Sequence, residues 1–104
     1  MRSISVVMPT FNSIRTVEAC LKIVREQDYV GEVEIIVADG GSDDGTVEVL
    51  KKYGCKVVSE KTGNPESAKA TGLRQAKGEL ILLIASDNVL PTKDWLSKMV
   101  KVLE

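Results

Sequence analysis

The sequence predicts an α/β domain, a three-layer sandwich in which a parallel sheet of about four strands, in the order 3-2-1-4, carries helices on both faces. Three observations predict it. Apolar runs of strand length alternate four times with segments whose apolar residues recur at three and four residues. The connections between them are short, which implies right-handed crossovers joining parallel neighbours. The strand runs are continuously apolar, as expected of strands covered on both faces. At 104 residues the chain has the length of a single domain, 1–104, with one core.

Ile4 to Met8 reads as the first strand, and Pro9 is expected to end it, because proline brings no N–H to a central ladder. Asn12 or Ser13 is placed to cap a helix with the stripe Ile14, Val17, Leu21 and Val24, closed by Asp28 to Gly31. Val33 to Ala38 is the second strand. After it, Asp43 or Asp44 can cap a short helix marked by Val47, Leu50 and Tyr53 and stopped by Gly54. Lys56 to Ser59 is a brief third strand. Asn64-Pro65 signals a helix start, asparagine as cap and proline at the first helical position. Along that helix Ala68, Gly72 and Ala76 form a strip almost without side chains, so it can lie close to the sheet, with Leu73 anchoring its flank. Gly78 ends it. Glu79 to Ala85 is the most apolar strand, and Thr92 is placed to cap a last helix with the face Leu96, Met99, Val100 and Leu103 and Trp95 beside it.

Composition removes several kinds of function. The 14 basic and 15 acidic residues leave a net charge of −1 and no basic stripe, which disfavours nucleic-acid binding. There is no histidine, so Ser-His-Asp and Cys-His catalysis and most zinc sites are excluded. Cys20 and Cys55 lack CxxC spacing and are expected to be reduced residues in or near the core. The apolar run Leu80 to Ala85 is far below the ~20 residues of a spanning helix. MRSISVVMPT reads as a strand rather than a signal sequence, so the expectation is a soluble, cytoplasmic chain.

Chemistry gathers around Val33 to Thr46, VEIIVADGGSDDGT. A buried strand there delivers Asp39 to the rim of the sheet, and Gly40 and Gly41 let the backbone turn close to whatever sits above it. Asp87 leaves the fourth strand in the same way, within Ser86-Asp87-Asn88. With the first strand central, Thr10, Asp39 and Asp87 converge on one rim, the switch point where open α/β folds bind nucleotides. A carboxylate at strand 2 can accept from a base edge with Thr10 beside it. One at strand 4 can hold magnesium or manganese whose shell a diphosphate completes. Blander readings stand beside these: Asp39 as a turn former, Asp87-Asn88 as an Asx turn, Phe11 as core, Lys61 and Lys69 as solvated charges that only a nearby phosphate would make functional. No GxxxxGK[ST] and no GxGxxG after the first strand is present, so ATPase and dinucleotide readings lose their signatures.

SVVMPTFNS, IIVADGGSDDGT and GNPESAKATGLRQAKGELILLIASDN together resemble the amino-terminal half of family 2 glycosyltransferases, in order and spacing, over nearly the whole chain. The resemblance implies a partial GT-A fold, Rossmann-like, that binds a nucleotide-sugar donor. It implies that Pro9, Thr10, Phe11 and Asp39 hold the base. Lys69, in Ala68-Lys69-Ala70, stands where the family has an arginine that approaches the diphosphate. A lysine there keeps the charge but loses the bidentate fork. Ala85-Ser86-Asp87-Asn88 stands where the family has its DxD motif, so Ser86 and Asp87 fall at the donor and Asp87 is the metal position, while Ala85 replaces the first aspartate. The implied cofactor is a divalent metal, Mn or Mg.

The resemblance implies a complete enzyme of roughly twice this length. The expectation is that the acceptor side, including the acidic general base, lies outside these residues, that no catalytic residue is among them, and that the chain alone transfers nothing. Apolar residues left exposed on the last helix would then favour self-association, and a full-length form could be membrane-associated on the cytoplasmic side. Two other readings stay open: a non-catalytic nucleotide-binding module, and a receiver-like signalling domain. A receiver needs an acidic pair after its first strand, where this chain has Met8-Pro9-Thr10.

Overall fold

The computed structural model describes all 104 residues. The elements run β1 (Ile4–Thr10), α1 (Val17–Arg25), β2 (Val33–Asp39), α2 (Thr46–Lys52), β3 (Lys56–Ser59), α3 (Pro65–Gln75), β4 (Leu80–Leu83) and α4 (Trp95–Leu103). The strands form one parallel sheet in the order β3-β2-β1-β4, the expected order. Because parallel strands alternate their side chains, the two faces of the sheet can be assigned from register. On one face Ile4, Val6 and Met8 of β1 and Ile35 and Val37 of β2 meet the buried stripe Val17, Cys20, Leu21 and Val24 of α1, Leu50 of α2, and Leu96 and Val100 of α4. The other face carries only α3, whose Gly72 lies against Val7.

Helices thus lie on both faces, as expected, but the α3 face is covered only in part. Helix α3 crosses β1 and β2 and stops short of β4, so Ile81 and Leu83 remain 45% and 48% exposed. Leu73, on the flank of α3, is 39% exposed and so is a weaker anchor than expected. Strand β4 is also shorter than the apolar run that predicted it, ending at Leu83 rather than Ala85.

Pro9 does not end β1. The Val7 C=O accepts from Ile84 N–H at 3.1 Å, and Pro9, two residues further along, faces the same edge. There β4 has already ended, so the missing N–H interrupts no ladder, and the opposite edge continues to the Thr10–Asp39 pair. Helix α1 begins at Val17, later than expected. Asn12 sits at φ +47 and Ser13 contributes only its C=O to the first turn, so neither caps with its side chain. In α2 the N-cap position is Gly45, with φ +99, although Asp44 Oδ1 does accept from Thr46 N–H at 3.1 Å. Asp94, not Thr92, is at the N-cap of α4, and Thr92 Oγ1 donates to it at 2.6 Å. For α3 the signal is read correctly, since Asn64 Oδ1 accepts from Glu66 N–H at 2.9 Å with Pro65 in the first turn.

Cys20 is buried, Cys55 is half-buried, and neither is in a disulfide. Burial pushes both thiols up to about 11, out of the reactive range. No helix is long and apolar enough to cross a membrane.

Candidate functional site

The site is built at the C-terminal ends of the strands, with Asp39 at its base. Only 4% of Asp39 is exposed, and every oxygen position of its carboxylate is in use. Oδ1 accepts from Thr10 Oγ1 at 2.7 Å and Ser42 Oγ at 2.6 Å. Oδ2 accepts from the N–H groups of Gly41 at 3.0 Å and Ser42 at 2.8 Å. Burial pushes this carboxyl up, but the Ser42, Thr10 and Gly41 hydrogen bonds outweigh it and hold the group below the usual aspartate range. Gly41 at φ +96 is what lets the chain fold back over the carboxylate.

Two loops are then sewn into one wall. Asn12 N–H donates to Ser42 Oγ at 2.8 Å, and Asn12 Oδ1 accepts from Asp43 N–H at 3.0 Å. Ser13 N–H donates to Thr46 Oγ1 at 2.9 Å, and Ile14 N–H donates to Asp44 Oδ2 at 3.2 Å. The loop after β4 is fixed separately. Ala85 N–H donates to Asn88 Oδ1 at 2.8 Å and Asn88 N–H returns a bond to the Ala85 C=O at 3.0 Å, making a closed turn with Asp87 on it. Ser86 Oγ donates to Ser13 Oγ at 3.2 Å and ties that turn to the β1 loop.

Between these loops and the start of α3 lies an open cleft of about 610 Å³. Pro9, Thr10, Phe11 and Ser86 line it, with Ser13, Gly40, the Glu60–Asn64 turn, Pro65 and Ala68. Phe11 is 63% exposed and its ring covers Gly40, so it is a surface of the cleft and not core. Of the residues singled out in the sequence, Asp39, Lys69 and Asp87 do not line this cleft. Asp39 lies beneath it. Lys69 Nζ is drawn to Glu66 at 3.3 Å.

A divalent cation would find a free carboxylate at Asp87. No group of three or more candidate ligands exists in the structure, Ala85 offers no side-chain oxygen, and Asn88 Oδ1 is committed to its turn. Asp87, exposed and without a hydrogen-bond partner, fits as a single hard ligand of a cation whose remaining positions are filled by a ligand's oxygens and water.

The model of the family described as glycosyl transferase family 2 matches residues 5–104. The chain belongs to that family. Among its family 2 relatives, AglE, a glycosyltransferase of Haloferax volcanii, is 26% identical over 107 residues, covering 96% of this chain and 35% of the relative. The structure of TarS 1–349 from S. aureus in complex with UDP superposes with a TM-score of 0.89 at 30% identity, over 97% of this chain and 32% of that one. The mannosyltransferase PcManGT from Pyrobaculum calidifontis, solved with GDP-Man and Mn2+, superposes with a TM-score of 0.87 at 30% identity, over 96% and 32%. This chain therefore spans about a third of the length of these family 2 proteins, and its four-stranded sheet corresponds to part of their GT-A fold.

Sequence reasoning missed two parts of this family 2 cleft. Ser42 supplies two of the four donors to Asp39, a role hidden because serine after two glycines reads as an ordinary turn. The Glu60–Asn64 turn forms the far wall, and the available signal was Gly63 before a capped helix, at φ +76.

Proposed function

We propose that this chain is the donor-binding part of a family 2 glycosyltransferase. It binds a UDP- or GDP-sugar together with Mn or Mg, and in a complete enzyme the sugar passes to an acceptor hydroxyl. The observation that carries the reading is the cleft at the strand ends, floored by the Asp39 turn and lined by Pro9, Thr10, Phe11 and Ser86. Its position is the switch point of an open α/β sheet, and its dimensions suit a nucleotide. The solved relatives that superpose on it hold UDP in one case and GDP-Man with Mn2+ in another, which supports the same class of ligand.

In this reading Phe11 stacks on the base while the pinned β1 and β2 loops hold the base end in shape. Asp39, with its four donors in place beneath the cleft, serves the base end indirectly by fixing Thr10 and the Gly41–Ser42 turn. Lys69 serves the diphosphate after leaving Glu66, an exchange that costs little because an exposed i,i+3 pair is worth only about 0.2–0.5 kcal/mol. Asp87 and Ser86 face the diphosphate end. A cation bound at Asp87 would neutralise charge on the departing nucleoside diphosphate. The chain alone transfers no sugar, since it spans only about a third of these relatives. Its exposed apolar residues, Val102 and Leu103 on α4 with Ile81 and Leu83 on β4, favour self-association. A receiver-like role is disfavoured, because a buried Asp39 with four donors presents no free oxygen to a phosphoryl group.

The test is a titration with UDP and GDP, with and without Mg2+, followed by amide NMR shifts. Mg2+-dependent shifts at Thr10, Phe11, Ser86 and Asp87, lost in Asp87→Ala, are expected. Absence of shifts at millimolar nucleotide overturns the reading.

A further inference from the structure

The cleft contains a charged group that the reading above leaves unused. Lys61 lines it, and its ammonium has no hydrogen bond and no ion pair. Lys69, a basic residue of the neighbouring helix α3, is by contrast held by Glu66. The neighbouring Glu60 does not neutralise Lys61, because its carboxylate is turned away. Its Oε1 accepts from Thr62 N–H at 3.0 Å and its Oε2 from Thr71 Oγ1 at 2.9 Å.

The backbone that carries Lys61 is also fixed. Glu60 N–H donates to the Asp39 C=O at 2.9 Å, extending the sheet past the end of β3, and Asn64 N–H donates to Thr62 Oγ1 at 3.3 Å. Lys61 is thus a flexible arm on a pinned turn at the rim.

Its place in the strand order decides what it can reach. Lys61 follows β3 and Ser86 follows β4, at opposite edges of the sheet and three strand spacings apart, about 14 Å. If Ser86 and Asp87 serve the diphosphate, Lys61 stands at the base. It also stands where free acceptors are scarce, since the four positions of the Asp39 carboxylate are filled and Glu60 is tied back.

We propose that Lys61 is a specificity-determining residue that donates to a carbonyl on the outer edge of the base and so selects keto bases over amino bases. An ammonium has three donors and no acceptor. Uracil and guanine present O4 and O6 as acceptors at that edge, whereas cytosine and adenine present NH2 donors there. A lysine therefore pairs with the first two and confronts a like donor in the others.

The inference rests on the donor-site reading, and its test separates the two. Affinities of UDP, GDP, CDP and ADP are measured calorimetrically with Mg2+ for the native chain, Lys61→Met and Lys69→Met. The native chain is expected to favour UDP and GDP by about tenfold, the scale of one charge-assisted hydrogen bond. Lys61→Met is expected to weaken UDP and GDP while leaving CDP and ADP unchanged, so that the ratio approaches one. Lys69→Met, a change at the diphosphate, weakens all four alike and keeps the ratio. If Lys61→Met weakens all four nucleotides equally, or leaves the ratio intact, Lys61 does not read the base and the proposal falls while the donor site stands. If the native chain binds none of them, both fall together.

Discussion

Thr10 Oγ1 donates to Asp39 Oδ1 at 2.7 Å, so the last residues of β1 and β2 are joined through their side chains as well as through the sheet. The same carboxylate closes the Gly41–Ser42 turn. Rim geometry and stability therefore share one group.

The shared group predicts a pH dependence. The folded-state pKa of Asp39 lies below its unfolded value of about 3.9. Between the two values the unfolded chain binds more protons, so stability rises with pH across that window. The contribution is present in full above about pH 4 and is lost as the pH falls through the folded pKa. Urea unfolding at pH 7 and pH 3 measures it. Thr10→Val should cost about 1–2 kcal/mol at pH 7, and Asp39→Asn should narrow the gap between the two pH values. An unchanged gap in Asp39→Asn would assign the acid sensitivity to other carboxylates, such as Glu34, which Ser5 Oγ and Lys77 N–H also hold below the usual range.

Gly72→Ala tests how closely α3 sits on the sheet. A Cβ at position 72 would be 2.6 Å from Val7 Cγ1, and Val7 is fully buried. Helix propensity favours alanine by up to about 1 kcal/mol. Overpacking costs about 1–3 kcal/mol and should win, because Val7 has nowhere to move. A lower thermal midpoint is the expected result, and Gly72→Ala with Val7→Ala should recover part of the loss relative to Val7→Ala alone.

The eight elements were legible because each depends on local patterning: apolar runs, helical periodicity, and Asn64-Pro65 as a start signal; the strand order followed only once the first strand was placed at the centre. What escaped depended on neighbours far along the chain. The extension of β1 through Pro9 becomes possible only because β4 ends at Leu83, and the bare face of β4 follows from where α3 crosses. At the site, Thr10 and Asp39 were readable as a converging pair. The saturation of Asp39 was not, since two of its donors come from Ser42, three residues beyond it, once Gly41 adopts a positive φ. Lys69 was favoured by motif position, whereas Lys61 reaches the cleft because the Glu60 turn folds against the Asp39 strand.

The open side of β4 predicts concentration-dependent association. Ile81 and Leu83 project from an edge strand whose four residues carry no charge, a combination that favours pairing between chains. Leu83→Lys places a charge on that surface without touching the main core. Sedimentation velocity should show less association for Leu83→Lys than for the native chain at equal concentration. An equal distribution would direct attention to Val102 and Leu103 on α4.

Phe11 separates binding from folding. Its ring is 63% exposed and lies over Gly40 in the cleft, so its removal takes little from the core. Stability of Phe11→Ala should stay within about 0.5 kcal/mol of the native chain. Stacking of a base on an aromatic ring is worth about 1–3 kcal/mol, so nucleotide affinity should fall by roughly five- to a hundredfold. Because stacking ignores the polar edge of the base, UDP, GDP, CDP and ADP should all weaken by similar factors, unlike the selective loss expected for Lys61→Met. Calorimetric titration of Phe11→Ala beside its thermal unfolding decides the point. Unchanged affinity with unchanged stability would show that the base does not lie on Phe11 and would move it toward the Pro65 wall of the cleft.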